Sequence, residues 1–141
     1  MVSKDYPEII RHLREVMKRL GREMPAVMRS FGGLHTAGTG TGALAGATKE
    51  LMALAIGIAV HCDGCIAYHV HDALAAGATH AEVVETIGVA VMMGGGPSVV
   101  YGCEALEALE QFETRRRRPI GDATASRGHL HRPRTLRRTA P

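Results

Sequence analysis

The sequence has no tryptophan, two phenylalanines and three tyrosines. A hydrophobic core must therefore consist of aliphatic side chains, alanine and methionine. The hydrophobic content of 45% is sufficient for one domain in a chain of 141 residues. Alanine-rich sequence with few β-branched runs favours helices over strands. The composition thus favours an all-α fold, which the hydrophobic periodicity described below divides into a compact bundle of five to six helices.

The chain also has no long hydrophobic run. The longest strongly apolar stretch, residues 51–60, is too short to cross a bilayer and fits a buried core helix. Residues 1–7 do not contain the apolar segment of a secretory signal. The three cysteines are an odd number, which argues against a secreted disulfide scaffold. We therefore expect a cytoplasmic protein that does not enter a membrane.

Charge is distributed unevenly along the chain. Residues 1–114 carry 8 basic and 13 acidic side chains, whereas residues 115–141 carry nine arginines and one aspartate. The second segment has too few apolar residues to form a core, so we predict a helical domain at 1–114 and a disordered basic tail at 115–141. No aromatic residue interleaves these arginines, so nucleic-acid binding is not expected.

Hydrophobic periodicity and capping residues predict the helices. We expect helices over residues 7–20, 25–31, 49–60, 63–76, 79–93 and 97–113. The glycine-rich stretch 32–46 is predicted to be a loop. Thr48 is the expected N-cap of the third helix, and Thr79 with Glu82 matches a capping box. The third helix is apolar nearly all round, which predicts burial on every side, in part by a second subunit.

Two cysteines and a histidine fall on one helical stripe. Cys62, Cys65 and His69 are spaced i, i+3 and i+7, which places them on one face of a helix. A helix start lowers the pKa of a thiol, and the thiolate is the reactive form of cysteine. The alternative is a pair of inert buried thiols, but the polar, flexible Asp63-Gly64 between them favours a redox pair.

A zinc site is a rival interpretation of this segment. It contains five potential ligands, namely His61, Cys62, Cys65, His69 and His71. Structural zinc usually takes two ligand pairs from separate segments, and only one C-x-x-C pair exists here, so we expect no metal. His61, His71 and His80 are expected at the surface. Cys103, on an alanine- and leucine-rich helix, is expected to be buried and inert.

Glu50 precedes Cys62 by twelve residues, on the preceding helix. If the two helices pack so that Glu50 meets His69, the carboxylate would orient and charge the imidazole. The alternative is a solvated acid in the first turn of its helix, where the helix dipole favours a carboxylate. The residues alone favour this alternative.

The pattern of Glu50, Cys62-x-x-Cys65 and His69 resembles the carboxymuconolactone decarboxylase family, and more closely its alkyl hydroperoxidase D-like branch. The resemblance covers about residues 5–113, including the Met-Gly-Gly-Gly-Pro segment at 93–97. It implies an all-helical dimer, trimer or hexamer without a cofactor. It also implies that Cys65 is the attacking thiol, that Cys62 resolves it, and that Glu50 and His69 form a proton relay.

This chain departs from the pattern at one position. Peroxidases of the branch carry a second histidine just before the attacking cysteine, where this chain has Gly64. The resemblance still implies a hydroperoxide or disulfide reductase that an external dithiol regenerates. The decarboxylase branch does not have the cysteine pair, so lactone decarboxylation is not expected. The alternative from another class is a non-enzymatic module that senses redox state or binds a partner.

Overall fold

The computed structural model describes residues 3–117, which form six α-helices and no strand. The helices are α1 (Tyr6–Glu23), α2 (Pro25–Thr39), α3 (Gly46–Ala59), α4 (Asp63–Ala75), α5 (His80–Gly94) and α6 (Gly96–Arg117). This architecture confirms the all-α prediction. None of these helices is long and apolar enough to span a bilayer.

The core lies between α3, α4, α5 and α6, with the start of α1 packed against it. Its largest fully buried aliphatic side chains are Leu54, Ile58, Ile66, Val70, Val83 and Leu109. Burial of each such side chain contributes roughly 1.5–3 kcal/mol relative to exposure. The core is therefore aliphatic, as the near-absence of aromatic residues requires. Helices α3 and α4 form its most extensive pairing, and they carry the candidate site.

Local capping explains several helix boundaries. The Asp5 side chain accepts a hydrogen bond from the Glu8 backbone N–H at 2.9 Å and caps α1. The capping box predicted at Thr79 and Glu82 is present at the start of α5. The cap predicted at Thr48 is wrong, because α3 already begins at Gly46. Glu50 therefore lies beyond the first turn of α3, and its predicted first-turn position is also wrong.

The loop predicted at residues 32–46 is wrong for most of its length, because α2 continues to Thr39. Gly32, Gly33 and Gly38 are helical despite the low helix propensity of glycine. The hydroxyls of Thr36 and Thr39 donate to backbone carbonyls one turn earlier. No residue of α2 is buried, so this helix gains little from packing within its own chain.

Within a single chain, helix α3 is buried on one side, and the side that the prediction assigns to a second subunit is exposed. Met52, Ile56 and Val60 are 49%, 63% and 62% exposed. The apolar circumference of the helix therefore faces the core on one side and an open surface on the other. Together with α2, this surface leaves large apolar side chains exposed among residues 3–117.

Helix α6 extends three residues past the predicted domain boundary at 114. Arg116 donates to the backbone carbonyl of Leu74 at 3.0 Å, and Arg115 forms an ion pair with Asp5 at 3.3 Å. These contacts attach the first arginines of the basic segment to the bundle. The remainder of the predicted tail, residues 118–141, lies outside the described residues.

Candidate active site

The two cysteines of the C-x-x-C pair lie where α3 gives way to α4. Cys62 is the N-cap of α4, and its sulfur accepts a hydrogen bond from the Cys65 backbone N–H at 3.2 Å. Cys62 and Cys65 form a disulfide, with their Cα atoms 5.2 Å apart. Both are partly exposed. We call residues 62–65 the CxxC turn.

The CxxC turn is held against α3 at very short range. A Cβ atom placed on Gly57 would lie 3.1 Å from the Cβ of Cys65, so only glycine fits this approach without displacement. The turn between the helices contains His61, whose φ of 59° lies in the left-handed region. Its ring stacks on Tyr101 with centroids 4.5 Å apart, which helps to hold that conformation.

The antiparallel pairing of α3 and α4 brings Glu50 to His69. Glu50 lies nine residues before the end of α3 and His69 seven residues after Cys62, which correspond to rises of about 14 Å and about 11 Å. The two side chains thus reach the same level of the bundle. Glu50 Oε2 lies 2.8 Å from His69 Nδ1, and their side chains are 9% and 17% exposed.

This arrangement can transfer a proton. Cys65 and His69 are four residues apart on α4, so their side chains share one face. An imidazole whose Nδ1 is bound to a carboxylate presents its other nitrogen as a base, and the carboxylate stabilises the imidazolium that forms. The expectation of a solvated Glu50 is wrong, because burial against α4 gives the carboxylate a partner.

A second charged cluster contacts the CxxC turn from the N-terminal segment and α6. Lys4 Nζ donates to Asp63 Oδ2 at 2.9 Å and to Glu104 Oε2 at 2.7 Å. The hydroxyl of Tyr6, which is fully buried, also donates to Glu104 Oε2 at 3.3 Å. Burial and the neighbouring Glu104 carboxylate raise the pKa of Tyr6 above its ordinary range. Sequence reasoning missed this cluster, because Lys4 and Glu104 lie 100 residues apart.

Leu13 of α1 lies beside Gly64, the position at which peroxidases of the branch carry a second histidine. A Cβ atom on Gly64 would lie 2.9 Å from Leu13 Cδ1, so the Leu13 side chain fills the space beside the turn. A surface groove next to it is lined by Glu8, Ile9, His12, Leu13, Asp63 and Gly64. On the other side, the exposed His35 ring of α2 stacks near His69 with centroids 6.4 Å apart.

Other chemically reactive side chains lie apart from this arrangement. Cys103 is exposed, so its predicted burial is wrong. His80 is exposed as expected, whereas His71 is partly buried, bound to Asp72 and packed edge-on against Phe112. Among residues 3–117, no three histidine, cysteine or acidic side chains converge as a metal-ligand set.

The sequence matches the profile of one protein family. Residues 25–108 correspond to the carboxymuconolactone decarboxylase family. This range contains α2 to α5 and most of α6. It therefore includes both cysteines of the CxxC turn, Glu50 and His69. It does not contain α1 or Lys4.

Solved structures and curated sequences give the same relationship. A family member from Legionella pneumophila, solved in the apo form, has 43% identity and a TM-score of 0.74, covering 76% of this chain and 96% of its own. One from Thermotoga maritima, for which a part in the antioxidative response has been suggested, has 28% identity and a TM-score of 0.70, covering 77% and 92%.

Two curated proteins of unassigned function are also similar. A Cupriavidus necator protein is 39% identical over 87 residues, which is 62% of this chain and 77% of that protein. A Haemophilus influenzae protein is 32% identical over 104 residues, which is 74% of this chain and 92% of that protein.

Proposed function

The chain belongs to the carboxymuconolactone decarboxylase family, and on that premise we propose that it is a thiol-dependent hydroperoxide or disulfide reductase of the alkyl hydroperoxidase D-like type. One observation carries the proposal. The buried Glu50 of α3 lies 2.8 Å from His69 of α4, and α4 begins at the partly exposed cysteine pair. The suggested antioxidative role of the Thermotoga maritima relative is consistent with this activity.

The proposed cycle starts from the reduced pair. His69, oriented by Glu50, removes the proton of Cys65. The thiolate attacks the distal peroxide oxygen, the O–O bond breaks, and Cys65 becomes a sulfenic acid while the departing alkoxide takes a proton from His69. Cys62 then attacks the Cys65 sulfur, which forms the disulfide and releases water. An external dithiol reduces the disulfide by thiol exchange.

The cycle requires no metal or organic cofactor, and it requires a compartment that supplies dithiol, such as the cytoplasm. In a disulfide substrate, Cys65 would attack sulfur instead of oxygen, and the same relay would serve. Lactone decarboxylation does not require a cysteine pair. We therefore assign the chain to the thiol chemistry of the family.

We also propose that the chain acts as a homo-oligomer. Its exposed apolar side chains lie mainly on α2, α3 and α5, where they include Phe31, Leu34, Ile56, Met92 and Met93 at 54–77% exposure. Large apolar side chains that remain exposed on packed helices support a subunit contact. Sedimentation of the full chain would test the assembly. A monomer at micromolar concentration would contradict it.

Peroxide consumption tests the activity. Purified protein is mixed with hydroperoxide and excess dihydrolipoamide or dithiothreitol, beside Cys65→Ser and Cys103→Ser. We expect many turnovers for the wild type and Cys103→Ser and none for Cys65→Ser. Failure to turn over either hydroperoxide or small disulfides, with the Cys62–Cys65 pair still oxidising once, would refute the reductase and indicate a redox sensor.

A further inference from the structure

The N-terminal segment places a cation on the CxxC turn. Lys4 Nζ bridges the Asp63 carboxylate, at 2.9 Å, and the buried Glu104 carboxylate, at 2.7 Å. Asp63 is the residue directly after Cys62. The lysine side chain is 31% exposed and Asp63 is 44% exposed, so the contact is partly shielded from solvent.

Lys4 is held in this position by its own backbone as well as by its side chain. The Gln111 side chain accepts from the Tyr6 backbone N–H at 2.9 Å and donates to the Lys4 carbonyl at 2.7 Å. The segment 4–6 is thereby attached to α6 at two backbone atoms. A lysine whose backbone is fixed in this way loses only side-chain entropy when it binds the turn.

The charges around the turn determine how readily a thiolate forms there. A carboxylate beside a thiol disfavours the thiolate, and a cation that neutralises the carboxylate removes that penalty. The other titratable groups near the turn are His69 with Glu50 from α4 and α3, His61, Tyr101 from α6, and Glu8 and His12 from α1. None of these side chains forms an ion pair with Asp63 within residues 3–117.

We propose that Lys4 is a positioning residue for the CxxC turn, whose ammonium neutralises Asp63 and thereby favours the thiolate of the reduced cysteine pair. This inference rests on the proposed function in one respect, namely that Cys62 and Cys65 pass through a reduced state. It reaches outside the part of the chain that matches the family profile, because Lys4 precedes residue 25.

Alkylation of the reduced protein by iodoacetamide tests the proposal, because only the thiolate reacts. All variants carry Cys103→Ser, and peptide mass spectrometry identifies whether Cys62 or Cys65 is alkylated. Because Asp63 is partly exposed and screened, we expect Lys4→Met to slow alkylation about threefold at neutral pH. Asp63→Asn should accelerate it by a similar factor, and the double variant should react nearly as the parent does.

The matched control is Lys18→Met, which removes the same charge from an exposed pair with Glu15. It should leave the alkylation rate unchanged. Lys4→Met also deprives the buried Glu104 of its partner, so circular dichroism must show that this variant folds. If it does not, Asp63→Asn carries the test, because it retains the contact between Lys4 and Glu104.

Opposite signs for Lys4→Met and Asp63→Asn support the proposal, and the midpoint potential should fall in the first and rise in the second. Two decreases would show that the contact is merely structural, and two unchanged rates would show that it has no role at the turn. Either result overturns the proposal. Absence of both peroxide and disulfide turnover with the two opposite signs preserved would reject the proposed function alone.

Discussion

Glu50 and Glu104 are the two buried carboxylates among residues 3–117. Each binds a different basic side chain near the CxxC turn. Glu50 binds His69, whose imidazole is a general base in the proposed cycle. Glu104 binds Lys4, which retains its proton at that pH. Two similarly buried glutamates therefore bind different partners, an imidazole that we propose to exchange protons and an ammonium that carries a fixed charge.

The two carboxylates are therefore expected to differ in their contributions to stability. Burial alone would lower the pKa of Lys4, but hydrogen bonds to Glu104 and Asp63 outweigh it and raise that pKa above 10.5. The ammonium is therefore a permanent part of the folded structure. The comparison predicts that substitution of Glu50 lowers kcat/KM, whereas substitution of Glu104 mainly lowers the free energy of unfolding.

The largest expected effect is that of Glu50→Gln on peroxide turnover. An amide still fits the site but no longer stabilises the imidazolium of His69, so kcat/KM should fall by about a hundredfold or more. Stopped-flow peroxide assays measure this loss, and the thermal midpoint should change little. The exposed Glu15→Gln is the matched control. Wild-type kcat/KM in Glu50→Gln would eliminate the relay.

Glu104→Gln should give the converse result. Loss of the carboxylate leaves Lys4 and the buried Tyr6 hydroxyl with a weaker acceptor, which should lower the free energy of unfolding by about 1–3 kcal/mol. Urea denaturation of the oxidised protein measures this change. The comparison between the two glutamates fails if Glu104→Gln instead lowers kcat/KM as much as Glu50→Gln does at unchanged stability.

Alkaline pH should weaken the Lys4 cluster selectively. The pKa values of Lys4 and Tyr6 are both raised in the folded state, so the folded chain holds these protons more tightly than the unfolded chain. Their contribution to stability is complete below about pH 10 and is lost as pH rises through the folded-state values. Unfolding free energies should fall less steeply with pH in Tyr6→Phe. An identical slope would exclude a contribution from Tyr6.

The smallest expected effect lies far from both glutamates, at the α5 capping box. Hydrogen bonds from the backbone and the side chain of Thr79 lower the pKa of the exposed Glu82 below 4.5. Its contribution to stability is present above pH 4.5 and is lost as pH falls through the lowered value. Glu82→Gln should therefore lose less stability than the wild type on acidification. Equal losses in thermal melts would contradict this assignment.

The sequence predicts those features that depend on short-range signals. The capping box at Thr79, the helix after Cys62 and the shared face of Cys65 and His69 all follow from spacings within two helical turns. The position of Glu50 could not be decided in this way. Its burial depends on how α3 packs against α4, which Gly57 permits through its contact with Cys65.

Long-range and weakly packed features were not predictable from local pattern. Lys4 and Glu104 give no local signal of their contact, because it forms only when the N-terminal segment docks on α6. The glycines of α2 indicate a loop by propensity, yet intrahelical hydrogen bonds continue to Thr39. The apolar neighbours of Cys103 predict burial in the core, but this residue lies on the exposed side of α6.

The contact between Leu13 and Gly64 has a consequence for how this site can change over evolutionary time. A histidine at position 64 would need the space that the Leu13 side chain already fills. A single substitution at 64 would therefore displace the end of the Leu13 side chain, which is flexible and only partly buried. A smaller residue at 13 would leave that space open, so one movable side chain of the first helix determines how much room a base at position 64 would have.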